Sequence, residues 1–597
     1  MSNHHRTFYD PSKSPMVYLI ILWVVLTAFN INKAFHIDDA FHLEAAENIR
    51  LHPWKPMSSW INWEDSPTLM FNGNNPPFFF YLINFYQLLF GHSEVSLHLF
   101  LSVFTFLSLF YFYQLGQLLQ VKSPLTMLSI FAFCPAFVVN QNVMLDIPIL
   151  AISLGIMYYL LKGQKHDKFS YYIISAILLS FGIFIKYSLI PLFFVILWTI
   201  FITKNYQKSI VLIIPIILFL LWSLWNYIEF GQTHIYKILT KPKPEVQINI
   251  LVSLRAKTVG FLGTLGSITT FTVIFIYSLI PKKEIRLLTL LACLFLVISI
   301  PLVYFKQIEE TIFNRLLNII FILNGLILIG LLTFQSISSW LAKKNEYLKS
   351  QEFVILIYVT SVSAFLILIA PFNATRHTLL IIPFIILLGH KHFDYTKRIL
   401  HKYVIAATVI LATLLGISDW LIADFYRKNA QKIHLKNATV WSIGHWGWQW
   451  YSKQAGMLIY AKNADFNVRN EDYVVFPQHV HKQTLSKEIG LDTIKIITEP
   501  STIFTFFSGI NKGTMYSSSH KIPAWSLSNS PIDTIFVCRV NKELGMEVAE
   551  TRIRSDKDLF NEIKYQSKTK NLPLDSLIKR EARKYIEQQR NKKHYFN

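Results

Sequence analysis

Charge is scarce in this sequence. Of 597 residues only 16% are Asp, Glu, Lys or Arg, against about 25% in an ordinary soluble domain, while 52% are hydrophobic and 48 are Phe. That balance excludes a single soluble globular domain and places much of the chain in a bilayer. Cysteine is nearly missing. Cys134, Cys293 and Cys538 lie far apart, two of them in apolar runs, so neither a disulfide framework nor a thiolate metal site follows. A Walker-type phosphate loop is lacking, which argues against a cytosolic nucleotide sugar, and the sequence has no internal repeat and no low-complexity tract. No small-residue cleavage site follows the first apolar run, Met16 to Phe29, and the bulky segment Asn30 to Phe35 comes next, so that run reads as an anchor. Acid is the scarcer sign, leaving a formal net charge of +21. With no basic soluble module of known pattern, this surplus points to lipid headgroups and membrane topology and away from nucleic acid.

What is abundant is apolar runs separated by short loops rich in Lys, Asn and Pro. Crossings are expected near 16–32, 76–90, 97–119, 170–185, 188–203 and 209–228, then near 259–280, 286–304, 311–334, 352–370, 376–390 and 403–421. One more lies within 124–161, a stretch too long for one upright helix, so a short partly inserted segment is expected before a helix starting near Asp146. The total of about thirteen is odd and puts the termini on opposite faces. Lys and Arg fix the sides. Arg6, Lys13, Lys162, Lys165, Lys168, Lys204, Lys208, Lys282, Lys283 and Arg286 fall on the expected cytoplasmic side, followed by Lys343, Lys344, Lys349, Lys391, Lys397, Arg398 and Lys402. Asp38, Asp39, Glu44, Glu47, Glu64 and Asp65 fall opposite, although the loop 229–257 on that side is also basic.

After Leu421 the hydropathy drops, and alternating segments at 439–443, 473–476, 493–497 and 534–540 predict strands of a small mixed domain. The expected architecture is an all-α polytopic membrane module, residues 1–421 with an external loop at 33–75, followed by a C-terminal α/β extracytoplasmic domain, residues 422–597. The tail from Arg552 to Asn597 is basic with helical stretches, most simply a solvated face or a lipid-headgroup contact.

Several residues stand out against this background. HIDDAFHLEAAENIR, just past the first helix, groups Asp38, Asp39, Glu44 and Glu47 at a membrane boundary, where acids are costly. A carboxylate in a half-dry cleft takes a proton from an acceptor hydroxyl as that hydroxyl attacks; a helix N-cap with acids in the first turn satisfies the same pattern. Asp38 and Asp39 are adjacent, so only one points into a given cavity unless the backbone turns. Asn75, Pro76 and Pro77 precede the second crossing, where the prolines mark a helix start. Asp146, in NQNVMLDIPIL, and Lys186, in GIFIKYSLIPL, are charges beside apolar runs, read with equal weight as functional or as snorkelling to the headgroups. A cation at Lys186 would stabilise a leaving phosphate, and Arg376, followed by His377 in APFNATRHTLLIIPF, is the better bidentate phosphate partner. His36 and His42 with the neighbouring acids offer ligands for a divalent metal, but ordinary polar packing is the weightier reading.

Taken in order, these segments resemble the GT-C glycosyltransferases, specifically the group of protein O-mannosyltransferases and bacterial aminoarabinose transferases of lipid A. IDDAFHLEAAENI resembles their acidic loop start, NNPPFFFYLINFYQLLFG their paired-proline helix start, and MLDIPIL their "tDmpL". FGIFIKYSLIPL is similar to "glafltKgp", ATRHTLLIIPF to "RYllPllP", and GHWGWQWY with KQAG to the motif that opens the external domain in relatives. The resemblance implies inverting transfer of a sugar from a polyprenyl-phosphate donor to a lipid, glycan or protein acceptor, at the outer face of a bacterial inner membrane. No cofactor is implied as a requirement, and a divalent metal stays open. By the same matches Asp38 is the base and Lys186 and Arg376 bind the donor phosphate, with Asp146 a pocket carboxylate beside Glu44, Asn75, Pro76 and Pro77. Asp39 replaces the usual Glu, and Asn75 stands where relatives carry His or Lys. His445 and Trp446 receive no role from the resemblance. A transporter or flippase is the main rival class, but neither an inverted repeat nor paired broken helices are evident. A polyprenyl-diphosphate glycan ligase and a non-enzymatic scaffold are the others.

Overall fold

The structure, a computed structural model, describes residues 14–240, 250–280, 283–393, 398–433, 435, 438–507, 515–516 and 522–591. Of the basic residues used to orient the chain, Arg6, Lys13, Lys282 and Lys397 lie outside the described residues, as do the side chains of Arg286, Cys293 and Arg398, the middle of the loop 229–257 and the end of the basic tail. Cys134 and Cys538 are buried free thiols.

The chain folds into two compact units. The first comprises Met1–Lys33, Phe71–Ile422 and Ser501–Ser530, and the second Ala34–Met70, Ala423–Pro500 and Pro531–Asn597. Besides the break at 422/423, beside the expected domain boundary, the chain thus changes unit at 33/34, 70/71, 500/501 and 530/531. The acidic loop packs with the C-terminal segments because its polar atoms are bonded to them: the Phe35 N–H donates to the Tyr451 hydroxyl (2.7 Å), and the Thr484 N–H to Asp65 Oδ1 (2.6 Å).

Six helices among the described residues are long and apolar enough to cross a bilayer: Glu94–Leu118, Asp146–His166, Tyr206–Phe230, Glu310–Lys343 and Gln351–Leu368 in the first unit, and Ile399–Gln431, which runs on past the break at 422/423. A seventh is available if Ile250–Ile268 and Thr272–Leu279, which meet at 89°, count as one span. By this measure the thirteen expected crossings are not reached. Four of them correspond to shorter apolar helices, Pro15–Asn30, Phe78–Phe90, Phe169–Ile185 and Tyr187–Ile202. The 13 residues of Phe78–Phe90 rise only about 20 Å, short of the ~30 Å of a hydrocarbon core. The run at 376–390 is broken into Thr375–Thr378 and Ile382–Leu388, the second wholly buried. The helix expected near Asp146 begins at Asp146, after two short helices, Pro124–Ala132 and Pro135–Val139, each opened by proline. Helices Ile250–Ile268 and Glu310–Lys343 approach so closely that a Cβ at Gly266 would collide with the Phe321 carbonyl.

The segment Ser501–Ser530 returns to this unit and is held there by polar bonds. Trp525 Nε1 donates to the Ser267 carbonyl (2.9 Å), the Phe506 and Phe507 N–H groups to Ser418 Oγ (2.9 and 3.0 Å), and Thr375 Oγ1 to the Met515 carbonyl (2.6 Å). The Tyr516 hydroxyl donates to Asp419 Oδ2 (2.9 Å), and Asp419 is ion-paired with Lys33, both fully buried.

The second unit carries a short hairpin, β1 (Trp60–Ile61) and β2 (Thr68–Leu69), and a five-stranded sheet of β3 (Val440–Ser442), β4 (Leu458–Ile459), β5 (Tyr473–Pro477), β6 (Gly490–Thr498) and β7 (Thr534–Lys542). The sheet order is β4-β3-β5-β7-β6, with β4, β3 and β5 parallel and β7 antiparallel to both neighbours. Parallel neighbours require crossovers; the helix Trp446–Gln454 supplies the one between β3 and β4. The four strands expected from alternation are β3, β5, β6 and β7. The basic tail is helical at Met546–Ser555, Lys557–Lys570 and Leu574–Asn591, with Ile553, Ile563, Leu577 and Ile578 buried in a core that also holds Trp441 and Val474.

Candidate active site

In the first unit three of the predicted charged residues meet. Asp146 opens its helix, Lys186 follows the last turn of Phe169–Ile185 in extended conformation, and Arg376 sits in the short turn Thr375–Thr378. Lys186 Nζ lies 2.8 Å from Asp146 Oδ1, and Arg376 Nη1 lies 3.8 Å from Oδ2. The carboxylate is 3% exposed, whereas the Lys186 side chain keeps 19%. Arg376 also contacts Met144 Sδ and lies over the Phe372 ring, which packs against His377. Two cations around one buried carboxylate leave a formal surplus of one positive charge. In a low-dielectric site such a surplus favours an anion far more than it would in water. Snorkelling does not describe Asp146, whose charge is met inside the protein.

Asn75 is half-buried, ahead of the buried Pro76 and Pro77. The prolines stand outside the helix they were expected to open: Pro77 takes its N-cap position and Phe78 begins it. Two residues before Asn75, the Gly73 carbonyl accepts a hydrogen bond from His234 Nε2 (3.0 Å). The rest of that chain of donors is fixed. Trp222 Nε1 donates to the Tyr187 hydroxyl (3.1 Å), and the hydroxyl donates to His234 Nδ1 (2.9 Å). Tyr187 follows Lys186 directly, so a neutral His234 joins the backbone before the paired prolines to the turn that carries the lysine. Burial pushes the His234 imidazole down to about 4.

The acids of the first loop belong to the second unit. Asp38 occupies the N-cap position of helix Asp39–Leu51 without a side-chain capping bond. Asp39 is fully buried, and its Oδ2 accepts the His36 N–H (2.8 Å). The backbone does turn before the pair: Ile37 has φ of 48°, a left-handed conformation rare for a β-branched residue. Glu44, expected to line a pocket, is buried and bonded on both oxygens, to the Asn62 N–H (3.2 Å) and to Gln449 Nε2 (3.0 Å). Burial pushes its carboxyl up to about 7. Gln449 Oε1 in turn accepts from His445 Nδ1 (2.9 Å), and burial lowers that imidazole to about 4. His36 and His42 are buried in the same unit; among the described residues no group of three or more His, Cys, Asp and Glu is placed to hold a metal ion.

Three features of the structure were not expected from the sequence: the Tyr187–His234 relay, Gln449, and the Lys33–Asp419 pair. Only the last left a usable signal, an acid inside the apolar run ISDWLIADF.

Residues 74–228 match the family model of dolichyl-phosphate-mannose-protein mannosyltransferases. No curated protein is similar enough in sequence to match the chain. Among solved structures, the archaeal oligosaccharyltransferase AglB from Archaeoglobus fulgidus, in complex with an inhibitory peptide and a dolichol-phosphate, is similar with a TM-score of 0.42 and 13% identity, over 78% of this chain and 70% of that one. ArnT from Cupriavidus metallidurans in the apo state gives 0.37 and 10%, over 78% and 93%. Arabinofuranosyltransferase AftD from Mycobacteria gives 0.38 and 11%, over 90% and 40%. Structural likeness at this level says nothing about chemistry. The family match falls on the stretch that holds the paired prolines, Asp146 and Lys186: over residues 74–228 this apolar, helix-rich chain is similar to the dolichyl-phosphate-mannose-protein mannosyltransferases.

Proposed function

We propose that this protein transfers a sugar from a polyprenyl-phosphate donor to a hydroxyl or phosphate of a lipid, glycan or protein, with inversion, at the extracytoplasmic face of a bacterial inner membrane. The observation that supports this reading is the Asp146–Lys186–Arg376 cluster with its surplus positive charge. A polyprenyl-phosphate sugar is a phosphodiester with one negative charge, which that surplus balances. In the transfer the acceptor oxygen bonds to the anomeric carbon as the bond from that carbon to the phosphate oxygen breaks, and the lipid phosphate leaves with an added negative charge. Lys186 and Arg376 meet that charge as it develops, an interaction stronger in the transition state than in the ground state. Asp146 keeps the two cations from repelling each other while the site is empty. Asp38 is the proposed acceptor of the proton lost by the attacking hydroxyl.

The experiment is a transfer assay in membranes with a panel of radiolabelled polyprenyl-phosphate sugars, comparing wild type with Asp38→Asn and Lys186→Ala. Label is expected to reach an acceptor in wild type, to stop with Asp38→Asn, and to require more donor with Lys186→Ala. No consumption of any donor by wild type would overturn the proposal in favour of transport or of a diphosphate donor.

A further inference from the structure

The motif GHWGWQWY is unused by the proposed chemistry, yet within the second unit it holds the start of the acidic loop at three places. Gly447 sits against the Phe35 carbonyl oxygen so closely that any Cβ there would collide with it. The Tyr451 hydroxyl accepts the Phe35 N–H at 2.7 Å, and the two rings stack. One turn before Lys453, Gln449 Nε2 donates to Glu44 Oε2 at 3.0 Å. All three come from the single helix Trp446–Gln454. Between the held points lie Asp38 and Asp39, preceded by the left-handed Ile37 at φ 48°; across from them Trp446 is also left-handed, at φ 62°. A strained backbone persists only where its surroundings over-determine it, and here the surroundings are this helix on one side and the strained segment on the other. The network closes behind the contact. The Gly444 N–H donates to Gln483 Oε1 (2.8 Å), and Gln483 Nε2 reaches Asn62 Oδ1 (3.3 Å), while the Asn62 N–H holds the second oxygen of Glu44.

We infer that the helix Trp446–Gln454 is a cradle that sets the direction of Asp38 and Asp39, with Gly447, Gln449 and Tyr451 as its positioning residues. None of the three is a catalytic residue; Gly447 and Tyr451 act through the backbone of Phe35 and Gln449 through the side chain of Glu44. The inference rests on the reading of Asp38 as the base, since positioning matters to rate only if one of these acids takes part in the reaction. A turn released by the loss of one hydrogen bond lets the carboxylates sample wrong directions, which lowers the population competent for proton transfer without touching donor binding.

The test uses the full-length protein in detergent-lipid micelles, with polyprenyl-phosphate mannose as the donor probe and two variants, Tyr451→Phe and Gln449→Leu. Hydrogen exchange is followed in peptides covering residues 34–44, with 473–477 as the folded reference. Each variant is expected to raise exchange in 34–44 by about five- to tenfold, the equivalent of one neutral hydrogen bond, and to leave 473–477 unchanged. The turnover rate should fall by at least about the same factor with donor KM held within about twofold. Unchanged exchange in 34–44 would overturn the cradle, as would equal changes in kcat and donor KM. If Asp38→Asn proves fully active while exchange in 34–44 still rises in both variants, the cradle stands as a structural device and the assignment of Asp38 as base fails.

Discussion

Replacing Glu44 by Gln should make the second unit less sensitive to alkaline pH. The Glu44 carboxyl is raised from 4.5 to about 7, chiefly by burial, so the folded state binds its proton more tightly than the unfolded chain does. Between pH 4.5 and 7 the unfolded state therefore holds fewer protons, and stability falls as pH rises through that window. Below it Glu44 costs nothing; above it the full penalty applies. Raising the carboxyl from 4.5 to about 7 corresponds to about 3 kcal/mol. Gln at this position avoids the charge. Its oxygen accepts the Asn62 N–H, and Gln449 turns its own carbonyl toward the new amide while His445 switches tautomer. In thermal unfolding of the full-length protein, followed by exchange of residues 39–51, the variant should match wild type near pH 4.5. At pH 8 it should exceed wild type by about 3 kcal/mol, or about 6–12 °C for a unit of this size. Parallel curves across the range would refute the reasoning, because they would mean that Glu44 is solvated or compensated when charged.

Lys186→Ala should raise donor KM by about 10- to 100-fold, the worth of one charge-assisted hydrogen bond, and leave acceptor KM unchanged in steady-state transfer assays. Asp146→Asn leaves Lys186 and Arg376 without their shared counter-charge and should destabilise the first unit by about 3–5 kcal/mol, read as a lowered melting temperature that a bound anionic lipid phosphate partly restores. His234, held down to about 4 by burial, should make the protein lose stability as pH falls from 6.5 toward 4, since there the unfolded chain binds the extra proton; His234→Asn should flatten that acid limb in a pH series of melts. Trp525→Ala removes a buried ring that contacts Phe321 and bonds to Ser267, and at about 3–5 kcal/mol it should expose the segment Ser501–Ser530 to limited proteolysis.

The sequence was most informative where one local signal sufficed. Alternation in 534–540 marked β7, and a lone carboxylate ahead of an apolar run marked the helix start at Asp146. Lys186 and Arg376 were recognisable because charges beside apolar runs are costly without a partner, although nothing in the spacing said that both would meet Asp146. Fewer helices among the described residues reach spanning length than the thirteen crossings expected, because hydropathy measures the apolar run and not the helix inside it: the runs at 188–203 and 376–390 are divided before Pro191 and before Pro383. Gln449 was invisible. It is an uncharged side chain in an aromatic helix, and its value comes from a residue 405 positions away. The same distance hides the composition of the second unit, whose three segments carry no shared sequence mark.

That separation sets a timetable for synthesis. Residues 34–70 leave the ribosome early, but their hydrogen-bonding partners at 444–484 follow some four hundred residues later, which at about 5–20 residues per second is about 20–80 s. The sheet closes later still, because β7, the last strand made, lies between β5 and β6. Until Gln449 emerges Glu44 lacks its amide, and until residues 534–542 emerge β6 has no strand beside it. The nascent protein must therefore carry an acidic, half-folded loop through the synthesis of some four hundred residues and an open strand edge until β7 follows, and a chain truncated before β7 would be a substrate for quality control and not a smaller enzyme.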